Sequence, residues 1–160
     1  MSRAIVAELQ GPYQRAWSLM TQFIDVCPEE IWAEKNGGWP VWQQVAHAAA
    51  VLNFFLLEKE DDTFVPAPAE LGVLMLKEQG QQVVSKEAMK AYGAAVMAVV
   101  DARVAELTDA DLTRTQERVS KKIGRDLSYG AVMVMLGSHT MYHLGSCDAA
   151  LRDHGLPGVF

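Results

Sequence analysis

Between Val45 and Leu57 the chain is apolar on nearly every side of a helix, interrupted only by His47 and Asn53. A helix with no polar face cannot border water, so it must lie among other helices. That requirement sets the fold class. The segment starts at Pro40 and is expected to run to about Glu58. An uncompensated imidazole inside it would be costly to bury, so His47 needs a specific partner.

Three more long helices can be read around it. The first runs from Pro12, a residue suited to a first helical position, to Val26. Tyr13, Ala16, Trp17, Met20, Phe23 and Ile24 recur along it at helical spacing. Residues 3–10 add a turn or two before Gly11-Pro12 breaks the pattern. Pro28 and Asn36-Gly37-Gly38 mark the connection to the second helix. From Asp61 to about Val84 a long connection follows, extended at Pro66 and Pro68, with a short helix in LGVLMLKEQG. Ser85 is an N-cap for the third helix, whose apolar face runs from Met89 to Leu107. The polar segment TDADLTRTQERVSKKIGRD reads as a loop, with an extended portion allowed. The fourth helix spans Ser128 to about His154, with Gly155 as C-cap and Pro157 blocking continuation. The expectation is an all-α four-helix bundle forming a single domain over residues 1–160, with no sheet.

Composition removes several function classes. The 160 residues carry a net charge of −6, with acidic and basic residues mixed. The densest basic patch, Lys121-Lys122 with Arg125, reads as a solvated loop and is too small for a nucleic-acid interface. No run reaches the roughly eighteen apolar residues of a membrane span. The first residues, MSRAIVAELQGPYQ, lack the apolar core and small-residue cleavage site of a secretion signal, so a cytoplasmic protein is expected. Cys27 and Cys147 form no CxxC pair, and a structural disulfide is not expected in that compartment.

His139 and His143 stand four residues apart, which places both rings on one helix face, one turn apart. Two such nitrogens can reach one ion at about 2.0–2.1 Å. A third ligand must come from another helix, and His47 is the candidate. Spacing alone leaves open that the pair is ordinary, since histidines four apart also occur in helices without a metal. His154 lies eleven residues past His143, about 16 Å along the axis, and reads as a cation or cap in the last turn. Cys147 extends the row on the fourth helix, as a fourth ligand, an oxidisable thiol or a small core residue, the last being preferred. Tyr142 and Ser138 are candidates for hydrogen bonds near the site, while Trp17, Trp42 and Phe54 either line a pocket or fill the core. Gly130, Gly137 and Gly145 share a sector of the fourth helix and suggest close approach of another helix, within the chain or across a dimer.

Three segments carry a family resemblance. They are Trp39-Pro40-Val41-Trp42-Gln43-Gln44-Val45-Ala46-His47, His139-Thr140-Met141-Tyr142-His143-Leu144-Gly145, and the ending Leu151-Arg152-Asp153-His154-Gly155-Leu156-Pro157. In order and separation they resemble the DinB-like family of bacterial four-helix-bundle proteins. The resemblance implies an up-down-down-up bundle, commonly a homodimer, with His47, His139 and His143 as metal ligands. It implies zinc or nickel as the ion, and relatives that are transferases using a low-molecular-weight thiol, bacillithiol or mycothiol. Many relatives have an acidic residue where this chain has Thr140, and Gln where it has Ser146. Without that carboxylate, hydrolysis by the HExxH mechanism is disfavoured.

The leading expectation is therefore a metal-dependent small-molecule enzyme such as a thiol S-transferase. The alternative is a non-catalytic stress-response or binding protein with a structural or vestigial metal. A ferritin-like di-iron protein is disfavoured, because no Glu stands three residues before His47, His139 or His143.

Overall fold

A computed structural model of the chain describes residues 1–56 and 65–160. In chain order the elements are α1 (Ala4–Val26), α2 (Glu29–Ala33), β1 (Lys35–Asn36), β2 (Trp39–Pro40), α3 (Val41–Leu56), α4 (Leu71–Leu74), α5 (Lys86–Glu106), a 3₁₀ turn (Asp111–Thr113), α6 (Glu117–Ile123) and α7 (Tyr129–Asp153). The protein is mostly helical, as expected, and α1, α3, α5 and α7 are its long helices. The end of the second helix expected near Glu58, and the start of the connection at Asp61, lie outside the described residues.

The buried segment behaves as its composition demands. From Val41 to Leu56 every residue is buried except His47 and Phe54, which are half-buried. α3 packs against α5 and α7, and α7 in turn packs extensively on α1. One continuous core joins Met20, Phe23, Val45, Leu52, Met89, Val96, Leu136 and Leu144.

Several local expectations hold at atomic detail. The Ser85 hydroxyl accepts from the Ala88 N–H at 3.2 Å, and that of Ser128 accepts from the Ala131 N–H at 3.2 Å. Past α7, Gly155 takes φ +72°, and the Leu156 N–H donates to the Leu151 carbonyl at 3.0 Å.

Other expectations need correction. α1 begins at Ala4 and runs through Pro12, which does not break it. An interior proline costs about 3 kcal/mol, but Val6 and Tyr13 on either side are both fully buried. The start of α1 is held from a distance: Asp109 Oδ1 accepts from the N–H groups of Ile5 and Val6 at 3.0 and 3.1 Å. A small sheet exists after all. Gly37 and Gly38 take φ +61° and +93°, and this turn folds β1 onto β2 in an antiparallel pair. The segment read as a loop contains α6, capped by the Gln116 side chain accepting from the Val119 N–H at 2.7 Å. It ends at Gly124, with φ +78°. Seven residues are too few to show a helical period in the sequence.

The three α7 glycines do not share one neighbour. A side-chain carbon at Gly137 would stand 3.3 Å from the Tyr13 nitrogen and 3.4 Å from the Pro12 carbonyl carbon, so α1 crosses closely there. Gly130 abuts the Leu112 carbonyl oxygen at 3.2 Å, and Gly145 meets nothing within 4 Å. Two substitutions should therefore act in opposite directions. Gly137→Val should cost about 1–3 kcal/mol by forcing α1 and α7 apart. Gly145→Ala should add about 0.5–1 kcal/mol by restricting the unfolded chain. Urea unfolding measures both, and shifts of the same sign would refute this account of the packing.

Candidate metal centre

α7 carries His139 and His143 one turn apart, and the packing of α3 on α7 brings His47 to them. The ring centroids are 5.1 Å apart for His47 and His139, 4.8 Å for His47 and His143, and 4.7 Å for His139 and His143. One nitrogen from each ring lies within 4.8 Å of the others, so the trio forms a group that could hold a metal ion. His143 is buried, while His47 and His139 are half-buried.

Burial dominates the electrostatics. Desolvation disfavours the charged ring, and each ring also opposes protonation of its neighbours. Desolvation, then the nearby His47, pushes His139 down to about 4. Desolvation, then His139 and His47, takes His143 down to about 3. His47 is lowered by desolvation, partly offset by its hydrogen bond to Leu74. All three rings are therefore neutral near pH 7, the form that ligates a metal.

The hydrogen bonds fit such an ion. His47 Nδ1 lies 2.7 Å from the Leu74 carbonyl oxygen. A carbonyl only accepts, so Nδ1 carries the proton and the Nε2 lone pair stays available. Nδ1 of His139 and of His143 are both buried with no hydrogen-bond partner among the described residues. Buried ring nitrogens without partners are costly, and a cation among the rings would relieve that cost.

The family model of the DinB superfamily matches residues 13–147. The chain belongs to the DinB superfamily. No curated protein matches it. Among solved structures, a DinB-like protein from Bacillus cereus ATCC 10987 has the same fold, with TM-score 0.58 and 21% identity over 92% of this chain and 95% of that one.

Other candidate residues of this DinB chain divide sharply. Thr140 is buried and its hydroxyl donates to the Leu136 carbonyl at 2.9 Å, so it is spent on its own helix. Ser138 likewise donates to the Val134 carbonyl at 3.1 Å. Tyr142 is 74% exposed, and its ring stands edge-on to His143 with centroids 5.1 Å apart. Cys147 is fully buried, its thiol facing the Val41 carbonyl, and it is not part of the histidine group. Trp17 and Trp42 are buried in the core, and Trp42 also lines a separate cavity of about 340 Å³ with Val73 and Gly80. His154 sits at the end of α7, with Nδ1 donating to the Ala150 carbonyl at 2.8 Å and Nε2 lying 3.1 Å from Glu34.

Phe54 alone of the three aromatic candidates lines a cavity of about 610 Å³ that also takes in His47 and His139. Its walls include Leu71, Gly72, Met75, Lys77, Arg118 and Lys122. Sequence reasoning missed these residues, because they come from α4, the chain just after it, and α6. The only available signal was the spacing of Arg118 and Lys122, four apart and so on one helix face.

A pH dependence follows from the lowered histidines. Their folded-state pKa lies below the unfolded value, so their contribution to stability is present above about pH 6.5 and is lost as pH falls toward 4 and then 3. His154 is raised by the Ala150 carbonyl and by Glu34, and works the other way. In chelator-treated His154→Gln protein, the urea midpoint should therefore fall between pH 7 and pH 5. A midpoint that rises over that interval would show that the three rings are not held neutral.

Proposed function

We propose that His47, His139 and His143 hold one divalent ion, zinc or nickel. We further propose that the protein is a metal-dependent enzyme acting on a small molecule, such as a thiol S-transferase with a low-molecular-weight thiol as cosubstrate. The observation that carries this reading is the placement of three neutral, converging imidazoles beside a cavity that two of them line. A divalent ion held only by neutral ligands keeps its full charge and an open position, and it would lower the pKa of a thiol bound there.

This chain's own residues prepare that site. The Leu74 carbonyl orients His47 and fixes its tautomer. Burial keeps His139 and His143 deprotonated. Phe54, Phe55 and Met135 give the cavity an apolar wall. The Thr140 hydroxyl is bonded within α7, which supports group transfer over HExxH-type hydrolysis.

The alternative reading, a stress-response or binding protein with a structural or vestigial metal, is less well supported. Structural sites close with four protein ligands, and the group has three among the described residues. With the enzyme reading go the up-down-down-up course over a single domain of residues 1–160, a cytoplasmic setting and a homodimer. Among the described residues no helix is long and apolar enough to cross a membrane.

Elemental analysis tests the site. Wild type should carry about one ion per chain, His143→Ala less than about a tenth of that, and Cys147→Ala the wild-type amount. Unchanged metal in His143→Ala would end the assignment. Metal-loaded protein should then couple bacillithiol, mycothiol or glutathione to an electrophile. Loaded protein inert with all three thiols would leave the transferase reading without support.

A further inference from the structure

The cavity beside the histidines has a charge distribution that the rest of the chain does not predict. The sequence holds 20 acidic and 14 basic residues. The described residues lining the cavity nevertheless include Lys77, Arg118 and Lys122 and no carboxylate. The remaining wall is apolar, built from Val51, Phe54, Phe55, Met75, Met135 and their neighbours. Among the described residues the carboxylate of Glu78 packs against Gly72 in the wall, and Lys77 and Lys122 are the exposed cations of a mostly apolar lining.

The cations come from two separate segments. Arg118 and Lys122 lie four apart on α6 and share a face, while Lys77 follows α4. The Arg118 guanidinium lies over the Phe54 ring, 5.4 Å from its centroid, which fixes that part of the wall. Lys77 and Lys122 are exposed at their surface ends, and among the described residues neither has a carboxylate partner. A plainer account exists for the α6 lysines. Lys121 and Lys122 both stand in its last turn, where cations suit the helix dipole. That account treats the two alike, whereas Lys122 lines the cavity and Lys121 does not. It also leaves Lys77 unexplained.

We infer that the cavity receives an amphipathic organic anion, its carboxylate at Lys77 and Lys122 and its apolar body along Phe54, Phe55 and Met135. This deepens the proposed function and rests on its reading of the histidine cavity as the place where the substrate sits. Its volume falls in the roughly 300–1,000 Å³ range of small-molecule sites. Met75 and Met135 in the wall allow the body to vary in shape, because unbranched thioether chains repack readily. Exposed cations in the cavity lining also raise the local concentration of anions, an effect that salt weakens.

Titration with sodium decanoate, below its micelle concentration, tests the inference, with decyltrimethylammonium as the matched cation. Decanoate should bind and the cation should not. The paired variant Lys77→Glu, Lys122→Glu should weaken decanoate by at least about tenfold, with wild-type metal content and helicity. Both lysines are exposed, so this variant should fold. Chelated protein should keep its decanoate binding, since the head group is held by the lysines. Equal binding of both amphiphiles, no effect of the lysine pair, or loss of decanoate on chelation would each overturn the inference. The two readings fail separately. Decanoate bound through the lysines in a chain that holds no metal would sink the metal enzyme alone. A metal-loaded chain that ignores decanoate would sink the anion site alone.

Discussion

α3 is buried along nearly its whole length, and its few polar side chains must find partners away from water. Gln43, Gln44 and His47 find them in the backbone of the connecting segments, while the buried Asn53 amide has no partner among the described residues. Gln43 Nε2 donates to the carbonyls of Val73 and Glu78 at 2.9 and 2.7 Å, and its oxygen accepts from the Gly80 N–H at 3.1 Å. Gln44 Nε2 donates to the Asn36 and Trp39 carbonyls at 2.6 and 3.1 Å. His47 donates to Leu74. Gln43 and Gln44 are buried, so removing all the partners of either amide would strand polar atoms at a cost of about 1–3 kcal/mol. The central helix therefore dictates where the β1–β2 turn and the α4 segment lie. The order of dependence runs from the core outward to the connections.

The histidine site inherits that order. His47 cannot turn without breaking its bond to Leu74, and Leu74 is itself buried in the core. His139 and His143 are held by the close crossing of α7 on α1 at Gly137, two and six residues before them. Three bases are thus gathered where burial opposes protonation of each, and the neighbouring rings add to it at His139 and His143. An arrangement that rejects protons this strongly still offers lone pairs. A metal ion could be bound by all three lone pairs at once, where a proton is bound by one.

Legibility in the sequence followed the range of the interactions. The burial of α3 was readable because it is written in consecutive residues, from Val45 onward. The capping serines Ser85 and Ser128 were readable because a cap acts on an N–H three residues away. The spacing of His139 and His143 marked a shared face, and the family resemblance added His47 to them. The start of α1 was unreadable, since its N–H groups are capped by Asp109, about a hundred residues distant. The Pro12 break failed for a related reason. Local propensity argued for a stop, and burial of Val6 and Tyr13 outweighed it. α6 was hidden by its length and by a glutamine cap, a residue type seldom used there.

The division between legible and hidden parts coincides with a division of labour. The three rings sit on long helices whose positions are fixed by the core. Much of the wall that a small molecule would touch comes from α4 and α6, helices of four and seven residues held by a handful of hydrogen bonds. A substitution at Lys77 or Lys122 changes the charge of that wall without touching anything that positions the rings, because neither residue belongs to the buried core. Substitutions in α3 or α7 would disturb the rings and the packing together. The charge and shape of that wall can therefore change at the short elements while the histidine cluster stays in place, the separation expected where variable loops are carried on a fixed helical frame.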